Sequence, residues 1–445
     1  MSIELIVILM FGSMLGFLLT GRQIFAIIGG VGTIATLALW GTGGSNMPFF
    51  SAYMFMKWFT ILSIPPFIFM GILLARSGIA EKLFQALYLW IGGIKGGLAV
   101  ADVGLSCLVA AMSGTNIASE VTSTSISLPA MLKRKYDKTI VIGTVLAGGG
   151  LGFLIPPSVV LILYGVIAQV SIGHLWVAAI LPGLLLAVLF VTYILTRCRL
   201  QPHLGPALPP EDQVGWGEKF KALGAGIAPI VLIFVVLGLL FMGVTSLIEC
   251  STVGAIGAIV CTAINRRLSW KLISEVLDQT LHVSVMMMWI FAAALLFSAV
   301  FDGLGAIHAV ENLLGMAGGG RWGTLIMMQL SFFLMGMVMD DTAMLLIVAP
   351  LYVPLVVKMG FSPVWFGVLY VLNCQMAFIT PPFGYNLFIM KSLIPTVAPD
   401  SGITIVDIYR SAIPFVIIQI ICLALVMLFP QIALYLPSLF FQAGA

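Results

Sequence analysis

The chain has 445 residues, of which 61% are hydrophobic and 8% charged, with a mean hydropathy of +1.16 and a net charge of +3. A soluble domain carries about 25% charged residues, so the composition excludes a water-soluble globule and puts the apolar runs in a bilayer. Four histidines, six scattered cysteines without CxxC spacing, and no HExxH, GxSxG or Walker A pattern argue against an enzyme and against an ATP-driven pump, and the small net charge makes no case for nucleic acid.

In chain order, apolar stretches near or above the roughly 20 residues needed to span a bilayer run over 3–20, 24–40, 59–74, 140–170, 175–195, 223–244, 248–264, 283–300 and 412–436. The first lacks a basic start and a small-residue cleavage site, so it reads as a retained span and not a signal peptide. The longest polar gap, 197–221, is a linker too short for a domain.

Between the third and fourth spans the pattern changes. Ser113-Gly114-Thr115-Asn116 is a polar break between the apolar flanks 105–112 and 117–132, each too short to span comfortably. These flanks predict a helical hairpin that enters the membrane and turns back at its tip. Such backbone survives at membrane depth only when buried in protein or lining a watered cavity. The next stretch, 140–170, is interrupted by Gly152-Phe153-Leu154-Ile155-Pro156-Pro157-Ser158. Proline inside a membrane helix frees backbone carbonyls and breaks the helix.

Both features return 225 residues later, as Met339-Asp340-Asp341-Thr342 and as Ala377-Phe378-Ile379-Thr380-Pro381-Pro382-Phe383-Gly384. At that offset Gly78 falls on Gly303, Gly93 on Gly318, Ala118 on Ala343, Pro129 on Pro354, Lys133 on Lys358, and Pro156-Pro157 on Pro381-Pro382. The chain is therefore read as an internal duplication, a common plan in transporters. If the first hairpin enters from the cytoplasm and the second from the other side, 17 of the 20 lysines and arginines collect on the cytoplasmic face. Arg321 and Lys358 then fall outside, and Lys57 lies near the outer end of a span. The expected fold is an all-α polytopic membrane protein. It is an inverted repeat with two re-entrant hairpins and broken helices, and both termini are periplasmic. The expected domains are a scaffold with an arm helix over 1–97, a transport domain over 98–196, a cytoplasmic linker over 197–221, a second scaffold and arm over 222–322, and a second transport domain over 323–445.

At a helix break, freed carbonyls serve as oxygen ligands and half-helix N-termini carry positive dipole ends. Carbonyls with hydroxyls suit a small hard cation, and tip N–H groups suit a carboxylate. Ser113 and Thr115 are expected to face Gly152, Leu154 and Pro156 across one cation site. Asp340 and Thr342 are expected to face Ala377, Ile379 and Thr380 across another. An anionic substrate is expected between them, held by Ser113, Gly114, Thr115, Asn116, Asp341, Thr342 and Thr380. The bland alternative is a set of packing kinks whose hydroxyls bond back to their own helices. For Asp340 and Asp341 the readings are a cation ligand, a proton site, or a cap on the following helix. Glu120 is open between binding a cation and pairing with a base. Glu249 reads as a helix cap, the cysteines and the Met286-Met287-Met288 run read as packing, and His282 and His308 are isolated.

These residues resemble the large membrane subunit of tripartite ATP-independent periplasmic (TRAP) transporters. The likeness rests on Arg76-Ser77-Gly78-Ile79-Ala80-Glu81-Lys82-Leu83, on Met112-Ser113-Gly114-Thr115 through Leu128-Pro129-Ala130-Met131 and Lys133 to Tyr136, and on Gly152 to Ser158 with Tyr164-Gly165 and Leu181-Pro182-Gly183. In the second half it rests on Val353-Pro354, Trp365-Phe366-Gly367 and Thr380 through Phe388. The resemblance implies an elevator mechanism, coupling to two or more Na⁺ and no nucleotide, a small four-span membrane subunit, and a periplasmic binding protein that delivers an organic acid. It places the protein in the lipid of the bacterial inner membrane. Because the sequence starts directly at its first large-subunit span, the small subunit is expected as a separate chain. The sequence departs from the family pattern at Thr115, where Ser is common, at Ser246-Leu247-Ile248-Glu249, where Thr-Pro-Thr-Glu is frequent, and at Asp340-Asp341, Phe383 and Tyr385. The competing expectation is a stand-alone elevator-type carrier or ion channel. The acid itself, whether carboxylate or sulfonate, has no signature, and no intramembrane arginine marks its partner.

Overall fold

Capping residues and glycines set most of the helix ends. The structure, a computed structural model, describes residues 3–18, 20–209, 214–224, 226–304, 320–381 and 384–441. The helices in order are α1 (Ile3–Leu18), α2 (Ile24–Trp40), α3 (Met47–Met56), α4 (Ile64–Arg76), α5 (Ile79–Ile91), α6 (Gly97–Ser113), α7 (Asn116–Lys133), α8 (Lys138–Gly150), α9 (Val159–Ala168) and α10 (Ile172–Leu200). The second half contains α11 (Trp216–Gly224), α12 (Ile227–Phe241), α13 (Leu247–Ile264), α14 (Trp270–Gly303), α15 (Gly320–Gly336), α16 (Asp341–Lys358), α17 (Pro363–Phe378), α18 (Tyr385–Val397), α19 (Ile405–Leu428) and α20 (Gln431–Phe441). No strand occurs among the described residues, and seven of the described helices are long and apolar enough to cross a membrane. His308, Pro382 and Phe383 lie outside the described residues.

The duplication is structural. Moved by 225 residues, α7 coincides with α16 at both ends, and α8 and α17 begin at the same place. Packing between the halves is reciprocal: α2 lies on α14 as α13 lies on α4, α7 on α18 as α16 on α9, and α8 on α19 as α17 on α10. A pseudo-two-fold axis relating the halves produces this exchange of partners. Glycines at repeat-equivalent positions allow the close approaches, as expected where lipid supplies no hydrophobic drive between helices. A Cβ on Gly29 or Gly32 would stand 3.3 or 3.2 Å from Ala293 or Leu296 of α14, and one on Gly254 would stand 2.7 Å from the Met70 sulfur of α4.

The hairpins α6–α7 and α15–α16 enter from opposite faces. The base of α6–α7 is stitched to the linker: Gly96 N–H donates to the Gly205 carbonyl at 2.9 Å and Asp137 N–H to the Leu204 carbonyl at 3.0 Å. The same face holds the Arg76–Glu275 ion pair, the Lys82–Asn265 and Asn265–Ser77 bonds, and the Lys138 Nζ bond to the Gly402 carbonyl. The base of α15–α16 lies on the other face, where Trp322 meets Phe361 at 5.2 Å and the Tyr164 hydroxyl donates to the Pro363 carbonyl at 2.6 Å. Arg321 lies over the Phe361 ring there, and Lys57 lines a recess with Gln169 and Ser171. The three basic residues set apart in the sequence are thus Lys57 and Arg321 on this face and Lys358 at the foot of α16.

Two boundaries differ from expectation. The stretch 412–436 is not one helix: α19 ends at Leu428 and α20 begins at Gln431, because Pro430 between them has no N–H to continue the ladder. The span expected over 283–300 is the second half of the 34-residue α14. Glu249 caps α13 as expected, in a capping box with Ser246 whose N–H donates to its carboxylate at 2.7 Å.

Candidate functional site: two hairpin tips around one cavity

Helix α6 stops at Ser113 because Gly114 turns left-handed, with φ 65°. Thr115 then caps α7, its hydroxyl accepting the Ala118 N–H at 3.4 Å. The first break lies directly against this tip. A Cβ on Gly114 would stand 2.3 Å from the Pro157 carbonyl oxygen, and one on Gly152 would stand 2.6 Å from the Thr115 carbonyl oxygen. Val159 N–H donates to the Gly114 carbonyl at 3.0 Å. Beyond the prolines, Ser158 caps α9 and donates its hydroxyl to the Phe153 carbonyl at 2.8 Å. Tip and break are joined backbone to backbone. The Ser113 hydroxyl donates to the Thr115 carbonyl at 3.3 Å, within a set of oxygens that belongs to neutral groups only.

The second tip is built otherwise. Asp340 caps α16, its carboxylate accepting the Ala343 N–H at 3.2 Å. Asp341 begins that helix, and its carbonyl accepts the Tyr370 hydroxyl of α17 at 2.5 Å. Gly336 brings α15 close to the second break, where a Cβ would stand 2.8 Å from the Ala377 side chain. Thr380 donates its hydroxyl back to the Met376 carbonyl at 2.6 Å, as in the bland reading of these breaks.

Both tips open on one cavity of about 560 Å³. Gly114, Thr115 and Asn116 line it from one repeat, and Asp340, Asp341 and Thr342 from the other. Phe153 and Phe378 close it between the breaks, edge to face at 5.3 Å. The opposite wall is α4 and α14, through Ile68, Ile72, Met286, Met287 and Ile290. The cavity reaches Arg76 and Glu81, so it opens toward the face of the linker. Arg76 is engaged with Glu275 at 3.0 Å, and at tip level the wall carries no basic side chain. Of the expected residues, Ser113, Gly152, Leu154, Pro156, Ala377, Ile379 and Thr380 do not line the cavity; Ser113 sits behind it in the first tip and the others in the breaks. Among the described residues no three His, Cys, Asp or Glu side chains gather to hold a metal. The donors at the first tip are carbonyls and hydroxyls, a set that fits a hard monovalent cation.

Sequence reasoning missed four residues here: Asn386, Tyr370, Phe153 and Phe378. Asn116 and Asn386 form a reciprocal amide pair, at 2.8 and 3.0 Å, that ties the first tip to α18 of the other repeat. Tyr370 holds the second tip from its neighbouring helix. Phe153 and Phe378 are 225 residues apart, so the duplication offset itself carries the signal for their pairing. Glu120 meets no base: its Oε1 accepts the Thr124 hydroxyl at 3.4 Å and its Oε2 has no partner. His282 is exposed, 3.6 Å from Asp278.

An inverted repeat of helices with two hairpin tips and two broken spans around a shared cavity defines a membrane transporter. The fold is similar to that of MtrF of Neisseria gonorrhoeae, from a class of antimetabolite efflux pumps, with a TM-score of 0.57 at 16% identity over 90% of this chain and 85% of that one. It is also similar to the YdaH transporter of Alcanivorax borkumensis, with a TM-score of 0.53 at 14% identity over 86% and 90%. Residues 5–432 match the family described as tripartite ATP-independent periplasmic transporter, DctM component, and the chain belongs to that family. It is 29% identical to the C4-dicarboxylate TRAP transporter large permease protein DctM of Pseudomonas aeruginosa, over 85% of this chain and 86% of that protein. The ectoine TRAP transporter large permease protein TeaC of Halomonas elongata is 27% identical over 98% and 99%. The isethionate TRAP transporter permease protein DctMQ of Oleidesulfovibrio alaskensis is 28% identical over 91% of this chain and 65% of that protein. The chain is thus a multi-pass TRAP transporter large permease and not an enzyme.

Proposed function

We propose that this permease imports a small organic acid, a carboxylate or sulfonate, coupled to two or more Na⁺, by an elevator movement. The observation that supports this is the single cavity on which both hairpin tips open, with α4 and α14 as its far wall. The moving body comprises 98–196 and 323–445, and it slides against a scaffold of 1–97 and 222–322. In this conformation the cavity opens toward the basic face, which the positive-inside rule makes cytoplasmic. Both termini are then periplasmic and the membrane is the bacterial inner membrane.

In this reading Ser113 and Thr115 with the carbonyls of Gly152, Leu154 and Pro156 hold one Na⁺. Asp340 and Thr342 with Ala377, Ile379 and Thr380 hold another. Bound Na⁺ supplies positive charge at a site whose own wall has no base at tip level. The N-terminal ends of α7 and α16 point free N–H groups at the acid, with Gly114, Asn116, Asp341 and the tip hydroxyls setting its orientation. A separate four-span subunit completes the membrane complex, and a periplasmic binding protein delivers the acid. The substrates in the names of relatives, C4-dicarboxylates, ectoine and isethionate, are small and bear an acidic group, which agrees with this class.

The test is uptake into proteoliposomes under an inward Na⁺ gradient. Uptake should require all three proteins and collapse when Na⁺ is replaced by choline. Uptake by this chain alone supports a stand-alone carrier and overturns the tripartite reading. Unchanged Na⁺ dependence in a Ser113→Ala, Asp340→Ala double variant overturns the site assignment.

A further inference from the structure

Deep between the arms of the first hairpin lies a second polar centre. Asp102, in the second turn of α6, is fully buried, and neither carboxylate oxygen has a hydrogen-bond partner. The Ser123 and Ser127 hydroxyls of α7 face its carboxylate. Ser106, one turn along α6, bonds the Ser123 hydroxyl at 2.8 Å. Gly148 of α8 completes the wall: a Cβ there would stand 2.5 Å from the Ser106 hydroxyl and 3.7 Å from Asp102 Oδ2. Thr144, one turn earlier on the same face of α8, is fully buried, and its hydroxyl has no partner. The Ser127 hydroxyl is likewise buried and unpartnered. The other titratable groups that feel Asp102 are Glu120 and the Cys107 thiol, and among the described residues no lysine or arginine pairs with either carboxylate.

A buried carboxylate without a counter-charge is unfavourable by several kcal/mol, so such groups are paired or bind metal ions. The chemistry here is the Asp102 carboxylate with buried hydroxyls on three surrounding helices and Glu120 beside it, hard oxygen donors that suit a small hard cation. Asp102 stands 11 residues before Ser113, or about 16 Å along the helix. The centre is therefore separate from the tip.

We propose that Asp102, with Ser123, Ser127 and Thr144, binds an alkali cation inside the shaft of the first hairpin, with Na⁺ as the ion to test. The experiment is equilibrium binding of radioactive Na⁺ to the purified full chain, with melting temperature recorded in NaCl and in choline chloride. Asp102→Asn should bind one Na⁺ fewer per chain than the wild type and should lose part of the stabilisation by NaCl. Thr144→Val, which keeps the shape and removes one donor, should weaken one binding event about tenfold, the equivalent of about 1.4 kcal/mol. An Asp102→Asn variant that binds as many ions as the wild type overturns the proposal and assigns Asp102 as a neutral carboxylic acid. If Asp102→Asn does not fold, Thr144→Val and Ser127→Ala decide alone, and an unchanged Na⁺ isotherm in both overturns it. Because the readout is ion binding without substrate, failure here leaves the transport reading intact.

Discussion

The two hairpin tips occupy equivalent places in the repeat, yet they are held by different means and carry different charge. The first is neutral, Ser113-Gly114-Thr115-Asn116; its backbone lies directly on the Pro156-Pro157 break, and the Asn116–Asn386 amide pair ties it to α18 as well. The second carries Asp340 and Asp341; Asp340 caps α16 as Thr115 caps α7, and among the described residues the Tyr370 hydroxyl holds the tip through the Asp341 carbonyl. A duplicated frame has therefore kept its geometry while its chemistry diverged. A backbone joint fixes carbonyl positions and tolerates no added atom. A side-chain joint is adjustable, which suits the half that carries the charge.

The largest effect expected from this contrast is at the glycines. Gly114→Ala places a Cβ 2.3 Å from a carbonyl oxygen on a residue with φ 65°. The left-handed backbone alone costs about 1–3 kcal/mol, and the clash with main-chain atoms adds to it. Gly336→Ala, at the end of α15 before the second tip, meets side chains only, Ala377 at 2.8 Å and Met344 at 3.5 Å. Gly114→Ala should abolish uptake and lower the melting temperature strongly, while Gly336→Ala should keep measurable uptake. Equal losses would remove the distinction between a backbone joint and a side-chain joint.

The next effect concerns the bond that crosses between repeats. Removing one amide of the buried Asn116–Asn386 pair leaves the other unsatisfied, which costs about 1–3 kcal/mol. Asn116→Ala and Asn386→Ala should each destabilise by that amount. The double variant should cost clearly less than their sum, because the second removal leaves nothing further unpaired. Additive losses in thermal unfolding would mean that the pair does not couple the tip to α18.

How legible was this arrangement in the sequence? Features set by neighbours along the chain were readable: the tip glycine, the cap at Glu249, the capping alternative for the Asp340–Asp341 pair, the proline breaks, and the offset that lays α7 on α16. Features set by distant packing were not. Asn116 and Asn386 are 270 residues apart and belong to different repeats, so no local pattern joins them. The Tyr370 hydroxyl bonds a backbone carbonyl, which no side-chain motif reports. Thr380 reads as a site hydroxyl, yet a helical threonine readily bonds the carbonyl one turn back, as this one does. Asp102 lies inside an apolar-looking arm, and the serines that face it come near only when α6, α7 and α8 close around it.

A smaller effect separates the two roles of Asp340. As a cap it can be replaced by asparagine, which accepts the same N–H, whereas alanine costs about 0.5–2 kcal/mol. As a cation ligand it requires the charge. Asp340→Asn should therefore keep the wild-type melting temperature and raise the Na⁺ concentration for half-maximal uptake several-fold, while Asp340→Ala should lose both. An Asn variant with wild-type Na⁺ response would reduce Asp340 to a cap.

The smallest effect is at Tyr370, whose hydroxyl reaches the Asp341 carbonyl at 2.5 Å. Tyr370→Phe removes that bond and little volume, for a loss of about 0.5–1.5 kcal/mol. The ring's contacts remain, with Phe332 at 4.9 Å and Tyr164 at 6.3 Å, so the fold should hold. What should change is the mobility of the second tip alone. Hydrogen exchange at the first turn of α16 should quicken by roughly two- to tenfold, in proportion to the lost bond. Exchange at the first turn of α7 should stay as it is, because Gly114 and Gly152 hold that tip through the backbone. Faster exchange at both tips would show that the breaks move as one unit and that the different joints have no separate consequence.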